Sequence, residues 1–251
     1  MAEGKKAVLP VYLVLDSSGS MDENGAFEAA MKFLPSLYVE LIKSESLADK
    51  LRIEVITFDV GSEVPVPLSN RQQLENYMKK LETNPIVPDG GGTYYGVAFS
   101  KLRTEIEVGV KQLIGDNYEV HRPVVFFITD GLPNDPNPAT RKKSYTELTE
   151  KSFSYRPNLI CVGVGDATKS ALIEYGASSY KMKEYITGNE HVVLVPRDGV
   201  TPAKAVNAII PTLVQSIIGS ITSEAKQIGG VSDPFGGQQE SILDELEEDF
   251  N

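Results

Sequence analysis

Short apolar runs alternating with stretches of helical spacing constrain this chain most, because they leave it little choice but a largely parallel sheet covered by helices. Residues 11–15 are near-continuously apolar between Pro10 and Asp16, as a strand buried on both faces must be, and they are expected at the centre of the sheet. From Phe27, apolar residues recur at Ala30, Met31, Leu34, Leu37, Tyr38, Leu41 and Ile42, a helix with an irregularity expected at Pro35. Residues 51–58 read as a second strand. Residues 64–68 carry Pro65 and Pro67 and belong at an edge, since proline cannot donate to a ladder. Asn70 is placed to cap a helix through Leu81, and Thr93 to open another reaching about Leu113. Strands at 124–129, 158–164 and 191–195 and helices at 138–152 and 168–175 continue the alternation. In the last helix Val206, Ile209, Ile210, Leu213, Val214, Ile217, Ile218 and Ile221 form one wide apolar stripe.

The expected fold class is therefore α/β and doubly wound, because parallel strands require long right-handed crossovers. In such sheets ligands bind beyond the carboxyl ends of the strands, where the strand order reverses. A length of 251 residues with 41% apolar content suits one such domain. We divide the chain into a domain over residues 1–221 and a linker with an acidic tail over 222–251.

Charge and cysteine usage narrow the function classes. The formal charge is −11, and seven of the eleven excess negative charges lie in residues 233–251, which contain no Lys or Arg. Nothing there suits nucleic acid, which is bound through clustered basic residues. The single cysteine, Cys161, excludes an internal disulfide and points to a reducing compartment. Lys5-Lys6 before an apolar run imitates a signal peptide, but that run ends in Asp16-Ser17-Ser18-Gly19-Ser20 without a small-x-small cleavage pattern. Residues 203–221 contain Lys204, Asn207, Pro211 and Gln215 and do not read as a membrane span. A cytoplasmic location without membrane partners is the expectation. Ile242, Leu243, Leu246 and Phe250 among acids could form a short amphipathic helix on a partner; the alternative is a solvating tail.

Three remote segments carry the chemistry. Asp16-Ser17-Ser18-Gly19-Ser20 follows the first strand, Gly90-Gly91-Gly92-Thr93 precedes a helix, and Thr129-Asp130-Gly131 ends a later strand. If the two strands are neighbours, Asp16, Ser18, Ser20, Thr93 and Asp130 meet at one sheet edge. Two carboxylates and three hydroxyls are hard oxygen ligands, suited to Mg²⁺, with Mn²⁺ or Ca²⁺ as alternatives. Gly90–Gly92 would let the backbone approach and swing, and Gly19 and Gly131 read as turn residues that make room beside the ion. The bland alternative is that these Ser and Asp residues only cap turns and helices.

The order Asp-x-Ser-x-Ser, then Thr93, then Asp130 resembles the metal-ion-dependent adhesion site of von Willebrand factor A domains, over about residues 8–220. The resemblance implies a central six-stranded, mostly parallel sheet with one short antiparallel edge strand at 64–68. It also implies metal ligands at Asp16, Ser18, Ser20, Thr93 and Asp130, and a protein partner that offers an acidic residue to the metal. Within the family, Leu9-Pro10-Val11-Tyr12-Leu13-Val14-Leu15-Asp16-Ser17-Ser18-Gly19-Ser20-Met21, Ile56-Thr57-Phe58-Asp59, Gly91-Gly92-Thr93 and Ile128-Thr129-Asp130-Gly131-Leu132-Pro133-Asn134-Asp135 look most like bacterial intracellular tellurium-resistance, TerY-like members. These are associated with kinase and phosphatase partners; a MoxR-type AAA+ ATPase is the alternative partner.

An enzyme is not expected. Haloacid-dehalogenase phosphatases also place an Asp after the first strand, but their general acid stands two residues on, where this chain has Ser18. His121 and His191, the two histidines, lie outside every motif. The Gly90–Thr93 segment lacks the Gly-Lys-Ser/Thr of a nucleotide-binding loop.

Overall fold

A computed structural model describes residues 5–88, 90–165, 167, 172, 175, 191–194, 200–222, 226–228 and 231–233. Its strands are β1 (Ala7–Asp16), β2 (Leu51–Phe58), β3 (Ser62–Ser69), β4 (Glu119–Val120), β5 (Val124–Thr129), β6 (Asn158–Gly163) and β7 (His191–Leu194). They form one sheet in the order β3-β2-β1-β5-β6-β7, and the two-residue β4 pairs with the start of β1. Every pairing is parallel except β2 with β3. The antiparallel edge strand thus runs longer than residues 64–68. Its pairing with β2 slips register twice, as expected where Pro65 and Pro67 cannot donate.

The two faces of β1 explain its unbroken hydrophobicity. Leu9, Val11, Leu13 and Leu15 point into one buried cluster, and Val8, Tyr12 and Val14 into the other, the alternation a pleated strand imposes. The first cluster is closed by α2 (Ala26–Met31), α3 (Phe33–Ile42) and α8 (Pro202–Thr222). Its stripe residues Val206, Ile209, Ile210, Leu213, Val214 and Ile217 are all buried. The second is closed by α6 (Tyr95–Gly115), with Leu148 of α7 (Pro138–Thr149) packed into it. Phe58, Tyr95, Phe99 and Phe127 pack there with ring centroids 5.0 to 6.0 Å apart, distances at which aromatic pairs attract.

Several elements depart from the sequence expectation. The helix expected from Phe27 is broken at Lys32 into α2 and α3, with Pro35 in the first turn of α3. Proline has no N–H to lose there, and its ring would clash with a continuous preceding turn. Two short helices, α1 (Gly19–Glu23) and α4 (Glu45–Lys50), were not expected, nor was β4. Each helix buries a single residue, Met21 or Ala48, too little to set a period. Gly19 accordingly opens a helix instead of occupying a turn. α5 (Arg71–Thr83) starts as expected, with Asn70 and Gln73 forming a reciprocal capping box. α7 ends at Thr149, short of Ser152.

Within the segment assigned as linker, residues 226–228 and 231–233 pair as a small antiparallel ladder. The expected helix at 168–175, apart from Leu172 and Tyr175, and the acidic tail beyond residue 233 lie outside the described residues. Among the described residues no helix is long and apolar enough to cross a membrane.

Candidate functional site

β1 and β5 are adjacent and parallel, with Leu15 opposite Ile128, so Asp16 and Asp130 emerge side by side at the carboxyl edge. After β1 the chain moves outward to β2, whereas β5 lies on its other side. The site therefore stands at the point where the strand order reverses.

Asp16 is fully buried, Asp130 is 2% exposed and Thr93 is 4% exposed; Ser18 is also buried, while Ser20 reaches the surface. The Ser18 N–H donates to Asp16 Oδ1 at 2.9 Å, and the Thr129 hydroxyl donates to Asp16 Oδ2 at 2.6 Å. The Ser18 and Ser20 hydroxyl oxygens are 3.3 Å apart, and Ser20 Oγ donates to Asp130 Oδ1 at 2.8 Å. Asn24 Nδ2 donates to Asp130 Oδ2. Four of the five expected ligands are thus linked by direct hydrogen bonds.

Thr93 joins through the backbone. Its N–H donates to Asn134 Oδ1 at 2.8 Å, and its carbonyl accepts from the Asn134 N–H at 3.0 Å. A Cβ on Gly131 would stand 3.0 Å from Thr93 Oγ1, so glycine there makes room as expected. Thr93 does not cap α6, contrary to expectation. The helix begins two residues later, and Asp135 Oδ1 accepts from the Gly96 N–H at 2.7 Å. This remote cap leaves the Thr93 hydroxyl outside the helix.

Burial pushes the Asp16 carboxyl up to about 6, and the neighbouring Asp130 charge adds to the rise; hydrogen bonds from Thr129 and Ser18 oppose it. Two buried carboxylates so close together call for positive charge between them. The donor set fits a hard cation: carboxylate and hydroxyl oxygens converge, each Asp16 oxygen keeps a lone pair beyond the hydrogen bond it accepts, and Ser20 leaves a path to solvent. Among the described residues no cluster of three or more His, Cys, Asp or Glu exists, so no thiolate or imidazole site competes. His121 and His191 lie at the amino-terminal edge, His121 bonded to the carbonyl of Val8 and His191 opposite Leu159. Cys161 is a buried free thiol in β6, pushed up to about 12 by burial, which suits a packing role.

The sequence reading missed Asn24, Thr129 as a partner of Asp16, and the pair Asn134–Asp135. The Asn24-Gly25 dipeptide was the available signal for the first. Gly25 is left-handed at φ 71°, and Asn24 Oδ1 accepts from the Ala26 N–H at 2.9 Å, as Asn does at turns.

Residues 11–196 match the sequence profile of the von Willebrand factor type A domain. Solved structures share the fold at low identity. Proximal thread matrix protein 1 from the mussel byssus, with a zinc-occupied MIDAS motif, aligns at 18% identity and TM-score 0.56 over 86% of this chain and 49% of that one. A von Willebrand factor type A protein from Catenulispora acidiphila aligns at 16% identity and TM-score 0.58 over 85% of this chain and 43% of that one. The pilus adhesin SpaC from Lactobacillus rhamnosus GG aligns at 14% identity and TM-score 0.56 over 87% and 32%. The chain thus spans half or less of the length of these three structures. No curated protein matches the chain.

Proposed function

The chain belongs to the von Willebrand factor type A domain family, commonly a metal-dependent protein-interaction module, and on that premise we propose that it binds a protein partner through a divalent cation at its carboxyl sheet edge. Asp16, Ser18, Ser20, Thr93 and Asp130 would hold the ion. The convergence of Ser18, Ser20 and Asp130 oxygens at 3.3 and 2.8 Å carries this reading. The cation supplies a Lewis-acidic position for a carboxylate from outside. Asp16 and Asp130 offset its charge, Ser18, Ser20 and Thr93 add neutral oxygens, and exposed Ser20 marks the open side. Mg²⁺ is the ion we assign, with Mn²⁺ or Ca²⁺ as alternatives; that a related fold carries zinc at this motif supports a divalent metal.

We read the site as a binding site and not a hydrolytic one. Position 18 offers a hydroxyl where proton transfer would need a carboxyl, and no histidine stands near the edge. The finer placement, in a cytoplasmic bacterial stress-response module of the tellurium-resistance type with kinase and phosphatase partners, rests on the motif resemblance alone. An adaptor for a MoxR-type AAA+ ATPase is the second partner class that the resemblance allows.

Calorimetry with Mg²⁺ and capture of partners with Mg²⁺ or EDTA test the proposal, each with wild type and Asp16→Ala. Partners and Mg²⁺ lost together in a folded variant support it. Partners retained after EDTA overturn the metal's role, and phosphoester turnover abolished by Asp16→Ala would replace binding with hydrolysis.

A further inference from the structure

Asp59 stands immediately after β2, beside the carboxyl edge, and is 7% exposed. One of its oxygens is occupied: Oδ1 accepts from the Gly61 N–H at 2.7 Å, closing the turn into β3. Its backbone carbonyl accepts from the Tyr94 N–H at 2.9 Å, which ties it to the residue before α6. Oδ2 is buried and has no hydrogen-bond partner among the described residues.

That oxygen faces the glycine loop. A Cβ on Gly91 would stand 2.8 Å from Asp59 Oδ2, so any other residue there would have to displace the carboxylate. Among the hydrogen bonds of the described residues, none uses the N–H of Gly91 or Gly92. An acceptor without a donor thus stands beside Gly91, in the loop that ends in Thr93. Thr93 and Tyr94 are pinned by Asn134 and by the Asp59 carbonyl, whereas the peptide planes on either side of Gly91 have no such anchor among the described residues. Gly90 already adopts φ 74°, and rotation of a neighbouring plane is open to glycine. A buried acceptor left unpaired favours any arrangement that pairs it.

We infer that Asp59 is a positioning residue of the cation site: its second carboxylate oxygen takes a main-chain N–H of Gly91 or Gly92, and so sets how Thr93 presents its hydroxyl to the ion. The inference rests on the cation reading above. Asp59 acts only through the loop, so its effect on the ion depends on Gly91 and Gly92.

The test uses the full chain, wild type, Asp59→Asn and Gly91→Ala, with Mg²⁺ affinity by calorimetry and amide hydrogen exchange at Gly91 and Gly92 with and without Mg²⁺. Asparagine keeps one oxygen for the Gly61 N–H but turns an NH₂ toward the loop, and melting curves confirm folding. In wild type, Mg²⁺ should slow exchange at one of the two amides by about tenfold. Asp59→Asn should abolish that slowing and weaken Mg²⁺ by about tenfold. Gly91→Ala should do the same, because its Cβ would press on the Asp59 carboxylate. Unchanged Mg²⁺ affinity in folded Asp59→Asn overturns the inference, as does a loss of affinity with wild-type exchange, which would reveal a mere effect of charge. If wild type binds no divalent cation, the cation reading itself falls, a result distinct from either.

Discussion

At the residue scale, Asp16 makes the site sensitive to pH. Its carboxyl, raised by burial to about 6 from an ordinary value of 3.8, must release its proton before a cation can take its place. Mg²⁺ affinity should therefore fall as pH drops through about 6, and calorimetry at pH 7.5 and pH 5 checks this. Without metal the sign for stability is opposite. The folded state holds the proton more tightly than the unfolded one, so Asp16's contribution is fully present below about 3.8 and is lost as pH rises through about 6.

Glu54 follows the same rule further back along β2, opposite Tyr12. It is 2% exposed, one of its oxygens lacks a partner among the described residues, and burial together with the Glu105 charge pushes it up to about 8. Its contribution is present below its ordinary value of 4.5 and declines as pH rises through about 8. Glu54→Gln should therefore stabilise the protein more at pH 8.5 than at pH 5, by on the order of 1 kcal/mol or more. Denaturant unfolding at the two pH values decides; equal shifts would contradict the sign.

At the element scale, α6 couples the core to the site. Tyr95 in its first turn is fully buried and donates to the Gly131 carbonyl at 2.9 Å. Asp135 caps the helix from the loop that follows β5 and pairs with Arg141 at 3.3 Å. Asp135→Ala would leave the Gly96 N–H and a mostly buried guanidinium without this acceptor. A loss of about 1–2 kcal/mol is expected, together with weaker Mg²⁺ binding because Thr93 stands two residues before the helix. Thermal melts and calorimetry on the same variant separate the two effects.

At the scale of the molecule, the described residues that build both buried clusters run no further than Ile217. A chain ending after Ser223 should keep a cooperative melting transition within a few degrees of the full chain. Mg²⁺ at about 100 times its dissociation constant should raise the stability of either chain by about 2.7 kcal/mol. A compact shell with only two carboxylates should favour Mg²⁺ or Mn²⁺ over Ca²⁺, and the reverse order in calorimetry would contradict that shell. Retained melting with partners lost would assign recognition to the acidic tail.

What the amino-acid sequence determined by itself was the architecture and the set of residues at the edge. Apolar runs of strand length separated by helical periods dictate a parallel sheet, and the apolar stripe from Val206 to Ile217 dictates the last helix, because burial on one or two faces writes a period into the chain. Asp16, Ser18, Ser20, Thr93 and Asp130 were legible because oxygen-bearing residues after two strands and a glycine run have few other uses in that order. Only the tertiary structure decided where α6 begins, because its cap, Asp135, lies 39 residues from Gly96 and no local pattern joins them. It alone revealed α1, α4 and β4, elements too short to carry a period. It alone set the Thr129 bond to Asp16, 113 residues apart, and left Asp59 with an unpaired oxygen against Gly91. Local chemistry is written in neighbours along the chain, whereas a proton's affinity and a loop's anchor depend on groups that only folding brings into contact.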